Sequence, residues 1–159
     1  MKTSAGLLMY RIRNGAPEVF LVHPGGPFWK KRDDGAWSIP KGEVDNYEAG
    51  DGLLEVAKRE FEEETGIKPN GEFKYLTSVR RKDGKVVEVW MFEGDCDPAS
   101  IKSNTIFIEW PPRSEKQLEI PEVDRAGFFT IDEAKKKLNK YQIGIIEAFE
   151  RVMIKLTYG

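Results

Sequence analysis

"KREFEEETGI", residues 58–67, places Glu60, Glu62, Glu63 and Glu64 within five positions and follows them with Gly66. On a wheel of about 100° per residue, Leu54, Ala57 and Phe61 share one face, and Glu60, Glu63 and Glu64 fall in the sector beside it. The spacing predicts a helix over residues 52–65, with Asp51 as N-cap and Gly66 in a left-handed C-terminal position. Glu62 can pair with Lys58, and Glu55 with Arg59, at i,i+4, which are ordinary surface arrangements. The remaining glutamates have no such explanation. Glu60 repels Glu63 and Glu64 across one turn, and all of them sit near the helix C-terminus, where the backbone dipole opposes negative charge.

Local rules broken together tend to mark functional sites. A divalent cation would resolve the conflict, because hard Mg²⁺ or Mn²⁺ takes carboxylate oxygens and shares them with phosphates. The plain alternative is a solvated acidic face. The neighbouring "DNYEAGDGLLEV" has the opening Asp and sixth-position Gly of a calcium loop, but Tyr47, Ala49 and Val56 stand at its ligand positions, so that reading fails.

Upstream, "AGLLMYRIR" and "EVFLVHP" read as strands joined at Asn14-Gly15, a dipeptide suited to a tight hairpin. "GGPFWKKRDDG" reads as a loop and "AWSIP" as a short strand ended by Pro40. Its "HPGGP" lead-in is no phosphate loop, since no Gly-Lys-Ser/Thr follows. Downstream, "FKYLTSVRR" and "KVVEVWMFEG" flank Asp83-Gly84 as a second hairpin, and "TIFIEW" is a further strand. "PPRSEKQLEIPE" reads as a polar loop, and "AGFFT" as a last short strand. Thr130 and Glu133 make a capping box for a helix from Ile131. In "YQIGIIEAFERVMIKL", Ile143, Ile146, Phe149, Met153 and Leu156 recur at helical spacing as a core stripe.

The 159 residues suit one domain spanning 1–159, and 40% hydrophobic residues suffice for a core. A formal charge of −2 is unlike the basic face of a general nucleic-acid binder. One cysteine, Cys96, and one histidine, His23, make neither an internal disulfide nor a soft zinc site, which suits a reducing cytoplasm. The N-terminal apolar run is too short for a membrane span or signal segment.

The acidic helix and its lead-in resemble the Nudix hydrolase signature, G-x5-E-x7-R-E-U-x-E-E-x-G-U with U aliphatic or aromatic. From Arg59 the match is complete through Glu60, Phe61, Glu63, Glu64, Gly66 and Ile67. "IPKGEV" resembles the lead-in, with Gly42 as the first signature glycine. The middle departs from the pattern. Counting back from Arg59 puts the first signature acid on Asp51, with a three-residue insertion within "VDNYEAG"; pairing Gly42 with Glu48 instead keeps the first spacing and breaks the second.

The resemblance implies an α/β fold, an α/β/α sandwich with a mixed central sheet. It also implies attack by water on phosphorus within a nucleoside diphosphate linked to another group. By motif position Glu60, Glu63 and Glu64 would be ligands to Mg²⁺ or Mn²⁺, with the Gly42 carbonyl a backbone ligand and Arg59 orienting the carboxylates. Glu63 is the expected general base, with Glu119 and Glu122 as candidates outside the motif. Phosphate contacts could come from Lys41, Lys30, Lys31, Arg32, Arg80 or Arg113. Trp110 is the expected base platform, with Trp29 as second choice, while Trp37 and Trp90 read as core. The substrate expected is a small nucleotide, a dinucleoside polyphosphate or nucleoside triphosphate, handled by a monomer or homodimer. ADP-ribose, nucleotide sugars and RNA 5′ ends are the other substrates the family suggests. A noncatalytic nucleotide-sensing module is the alternative of another class.

Overall fold

The computed structural model describes residues 2–44 and 52–158. Asp51 and Glu48, the two candidates for the first signature acid, lie outside the described residues.

Strands β1 (Thr3–Arg13) and β2 (Ala16–Pro24) form the first hairpin, and Asn14 and Gly15 take the positive φ values of 54° and 78° that the dipeptide predicts. β5 (Val86–Glu93) lies parallel to β1 on its other side, from Thr3↔Val86 to Tyr10↔Glu93. β4 (Lys74–Arg80) is antiparallel to β5, and β8 (Val123–Thr130) is antiparallel to β2. The order β4-β5-β1-β2-β8, with one parallel pair, makes the sheet mixed.

β1 forks. β2 pairs with its C-terminal part, Tyr10–Arg13, whereas β3 (Lys41–Val44) pairs with its N-terminal part, Thr3–Gly6. In the gap where the two neighbours diverge, the Leu7 N–H donates to the Pro40 carbonyl at 3.2 Å and Val22 bridges Ser38.

Strands buried on both faces read as continuous apolar runs, which is why "GLLM" and "VFLV" show no polar alternation. Leu7, Met9, Phe20 and Val22 point to one face, where they meet Val56, Ala57 and Phe61 of α1 (Leu53–Thr65). Leu8, Val19 and Leu21 point to the other, packed against Ala134 of α2 (Ile131–Lys137) and Ile145, Ile146 and Phe149 of α3 (Ile143–Tyr158). The result is the α/β/α sandwich expected. Among the described residues no helix is long and apolar enough to cross a membrane.

Several expectations need correction. "AWSIP" is not a strand: Trp37 and Ser38 make single bridges to different elements, Leu138 and Val22, and the strand lies just beyond, at β3. The polar stretch after residue 110 contains β7 (Gln117–Pro121), which pairs with β6 (Thr105–Glu109) in a separate two-stranded sheet. Only Ile120 of β7 is buried, so its apolar signal is weak. α1 begins one residue later than expected, with Gly52 at the N-cap and no side-chain cap bond. In α3 the stripe runs through Ile146 and Phe149, but Leu156 is exposed and Ile145 is buried beside them. The Thr130–Glu133 capping box forms as predicted.

Candidate active site

The fork in β1 sets the site, because it brings β3 beside the acidic face of α1. Glu60, Glu63 and Glu64 leave the helix within one turn of each other, yet their surroundings differ. Glu63 is exposed, Glu60 half-buried and Glu64 only 5% exposed. A carboxylate this close to the core requires partners, and the Lys41 backbone N–H donates to it from β3. Burial pushes the Glu64 carboxyl well above its ordinary range, and the negative charges of Glu122 and then Glu60 push it the same way. The Lys41 ammonium and backbone N–H oppose them.

Gly42 follows from the same packing. A Cβ there would fall on the Glu60 carboxyl, so glycine is what lets that carboxyl lie against β3. Glu60 and Arg59 both make interactions within the chain. Among the described residues no three acid groups converge on a single point as they stand. The donors nevertheless suit a hard divalent cation in kind, all being oxygens, and the repulsion of the buried Glu64 by Glu122 and Glu60, opposed by Lys41, is what such an ion would relieve.

Glu122 is brought to this place by a chain of backbone bonds. Gly66 ends α1 at φ 74°, and beyond it Lys102 N–H donates to Thr65 O and Asn104 N–H to Glu63 O, each at 2.9 Å. Glu122 N–H then donates to Asn104 O, and Gly25 N–H to Glu122 O, both at 3.0 Å. The last turn of α1, the β7–β8 junction and the end of β2 are thereby held in one arrangement.

Glu64, Lys41 and Glu122 line a cleft of about 400 Å³ together with Trp29, Arg81 and Tyr141. The loop carrying Trp29 is tied from beneath by the fully buried His23, whose Nε2 lies 2.6 Å from Arg32 O and whose Nδ1 lies 2.9 Å from Asp124 Oδ1. Its far end is held by Asp33, which accepts from Lys137 Nζ at 2.7 Å and Trp37 Nε1 at 2.8 Å. Those bonds, the Lys137 one foremost, hold the Asp33 carboxyl below its ordinary range.

Of the residues the sequence singles out, the cleft gathers Lys41, Glu64 and Glu122 and sets Gly42 and Glu60 beside them. Glu119 is elsewhere, accepting from Thr105 Oγ1 at 2.8 Å across the β6–β7 hairpin. Trp110 and Arg113 stand where that hairpin turns and do not line the cleft. Trp29, the second choice for a base platform, does. Lys30, Lys31 and Arg32 are exposed, and the Arg32 guanidinium stacks on Phe28 at 4.3 Å. Arg81 rather than Arg80 lines the cleft, a one-residue choice that the "RR" pair at a strand end leaves open. Asn139 and Tyr141, also in the lining, carried no sequence signal beyond preceding the last helix.

The NUDIX domain family model matches residues 2–149. No curated protein matches the chain in sequence. Among solved structures, an Ap4A hydrolase binary complex from C. elegans is similar at 19% identity and a TM-score of 0.66, covering 98% of this chain and 99% of that one. The NUDIX domain of Shewanella oneidensis NrtR, in complex with ADP ribose, is similar at 16% identity and a TM-score of 0.64, covering 95% and 87%. A MutT protein from Methanosarcina mazei Go1 is similar at 21% identity and a TM-score of 0.58, covering 95% and 94%. A match to residues 2–149, nearly the whole chain, means that the protein belongs to the Nudix family of hydrolases, which act on phosphorus-containing acid anhydrides.

Proposed function

We propose that this protein is a cytoplasmic pyrophosphohydrolase dependent on Mg²⁺ or Mn²⁺, cleaving a nucleoside diphosphate linked to a second group, most simply a dinucleoside polyphosphate or a nucleoside triphosphate. The observation that carries the reading is Glu64: a buried carboxyl beside Glu122 and Glu60, in a cleft that also holds Lys41 and aromatic rings.

Glu60, Glu63 and Glu64, with the Gly42 carbonyl, would hold the cation. When bound, it neutralises phosphate oxygen charge and lowers the pKa of attacking water. Lys41 acts twice, its N–H fixing Glu64 and its ammonium meeting a phosphate oxygen. Glu63, exposed on the helix, takes the proton of the attacking water at its carboxylate, and Glu122 is the second candidate for that role from across the cleft. Trp29 offers a ring on which any base can stack, worth about 1–3 kcal/mol.

The test is incubation with Mg²⁺ and a panel of dinucleoside polyphosphates, nucleoside triphosphates, nucleotide sugars and ADP-ribose in H₂¹⁸O, with product masses read against Glu63→Gln. Metal-dependent cleavage absent from the variant supports the hydrolase and shows which phosphorus takes the oxygen. Binding without turnover of any compound would replace it with a nucleotide-sensing module.

A further inference from the structure

Among the described residues two ionisable side chains are buried, Glu64 and His23, and the proposed chemistry uses only the first. Both ring nitrogens of His23 meet oxygen: Nε2 lies 2.6 Å from the Arg32 carbonyl and Nδ1 lies 2.9 Å from Asp124 Oδ1. A carbonyl oxygen only accepts, so Nε2 carries a proton. Asp124 Oδ1 also faces the Arg125 guanidinium at 3.5 Å, which suits a carboxylate that accepts, so Nδ1 carries one too. Either neutral tautomer would set a ring lone pair against one of these oxygens, and a flipped ring would point carbons at both. The ring that fits its surroundings is the imidazolium.

This ring joins two sides of the cleft. Arg32 closes the turn that carries Trp29, its N–H donating to Trp29 O at 2.9 Å and its Nε to Phe28 O at 3.2 Å. Asp124 follows two residues after Glu122, whose carbonyl accepts from Gly25 N–H. Trp29 and Glu122 both line the cleft. The other charged groups around the ring lie behind Trp37, which packs on His23 nearly perpendicular at 5.2 Å. Asp33 accepts from the Trp37 indole and from Lys137 of α2, and Arg125 lies over the Trp37 ring at 5.3 Å. The Arg32 guanidinium stacks on Phe28 instead.

We propose that His23 is a positioning residue whose imidazolium form holds Trp29 in the cleft, so that nucleotide affinity follows its protonation. Loss of either proton turns one of the two attractions into a repulsion between lone pairs, and the Trp29 turn loosens. Histidine as a residue type changes charge between about pH 5 and 8, which makes pH the variable to test. The inference rests on the nucleotide-hydrolase reading for the role of Trp29, whereas the state of the ring is read without substrate.

The experiment follows the ¹⁵N shifts of the imidazole and the Trp29 indole signal from mildly acidic to mildly alkaline buffer in the tag-free chain, where His23 is the only histidine. KM and kcat for ATP and diadenosine tetraphosphate are measured over the same range at saturating Mg²⁺, in the wild type and Asp124→Asn. In the wild type both ring nitrogens are expected to be protonated in acid. As the ring loses a proton, the Trp29 signal and KM are expected to change with the same midpoint, KM rising about fivefold or more, the low end of what a lost base stack costs. The Asn amide donates or accepts and so suits the ring in either state. Asp124→Asn is therefore expected to show no such rise, with kcat within about twofold of wild type at each pH. A flat wild-type KM, a rise that the variant shares, or a ring with an unprotonated nitrogen in acid overturns the inference, and the wild-type coincidence carries the test if the variant does not fold. If neither nucleotide is hydrolysed, the hydrolase reading is what fails, and the His23 and Trp29 signals of the free protein still decide the inference.

Discussion

Gly42 and Glu60 share one space: a side chain on the first would occupy the position of the carboxyl on the second. The clashing atoms are the far end of a flexible side chain rather than backbone, so Gly42→Ala is resolved by Glu60 swinging away. The fold is expected to lose little, with Tm falling by no more than a few degrees. The site is expected to lose much, because displacing a metal-supporting group typically costs 10–100-fold in metal affinity or activity. A Mg²⁺ titration of activity, run beside a thermal melt, separates the two. A large Tm loss with unchanged metal dependence would show that the glycine serves packing alone.

Glu64 makes a prediction about pH. Its carboxyl is held well above its ordinary value of 4.5 by burial, then by Glu122 and Glu60, so folding favours the protonated form. A raised folded-state value means that this contribution to stability is fully present below the unfolded value and is lost as pH rises through the folded one. The metal-free protein is therefore expected to lose Tm on going from mildly acidic buffer toward neutrality. Glu64→Gln, which cannot ionise, is expected to flatten that slope, to be the more stable protein at neutral pH in EDTA, and to be inactive. Melts across the pH range in EDTA check this, and a wild-type slope retained in the variant would assign it to other groups.

The legible and illegible parts of this chain divide along physical lines. The Asn14-Gly15 hairpin, the C-cap at Gly66 and the Thr130–Glu133 box were readable because each is a local device in which a few neighbouring residues settle the backbone. The crowding of Glu60, Glu63 and Glu64 on one turn is legible for the same reason, since charge spacing on a helix is also local. β7 was not, since its strand character comes from pairing with β6 across a turn and only Ile120 is buried. The aromatic and polar lining of the cleft is less legible for a related reason. Whether Trp29 or Trp110, Arg80 or Arg81, faces the acids depends on how separate loops pack around the fork in β1.

The proton-accepting role separates three glutamates. Glu63→Gln is expected to lower kcat by about 10²–10⁴, the usual range for a lost general base, even at Mg²⁺ high enough to offset its weakened hold on the cation. Glu122→Gln removes a charge that bears on Glu64, so its expected signature is a changed dependence on Mg²⁺ concentration. Glu119 accepts from Thr105 across the hairpin, and Glu119→Gln is expected to stay within about twofold of wild type, the scale of an exposed surface change. Steady-state rates at saturating nucleotide, measured across a Mg²⁺ titration, check all three. A kcat loss larger in Glu122→Gln than in Glu63→Gln would move the base across the cleft.

Gln142 tests whether the C-terminal turn holds the site together. Its side chain is fully buried, and three of its hydrogen-bonding capacities are met by Ile39 N–H, Ser38 Oγ and the Tyr141 hydroxyl. Gln142→Leu keeps the approximate volume but leaves the Ile39 N–H without its acceptor, a loss of about 1–3 kcal/mol for a buried donor. At roughly 2–4 °C per kcal/mol for a chain of this size, the melt is expected to fall by several degrees. The same change frees the segment from Ser38 to Lys41, whose backbone N–H holds Glu64. Activity measured well below the variant's Tm is therefore expected to fall too, and a variant that melts early but hydrolyses normally would confine Gln142 to stability.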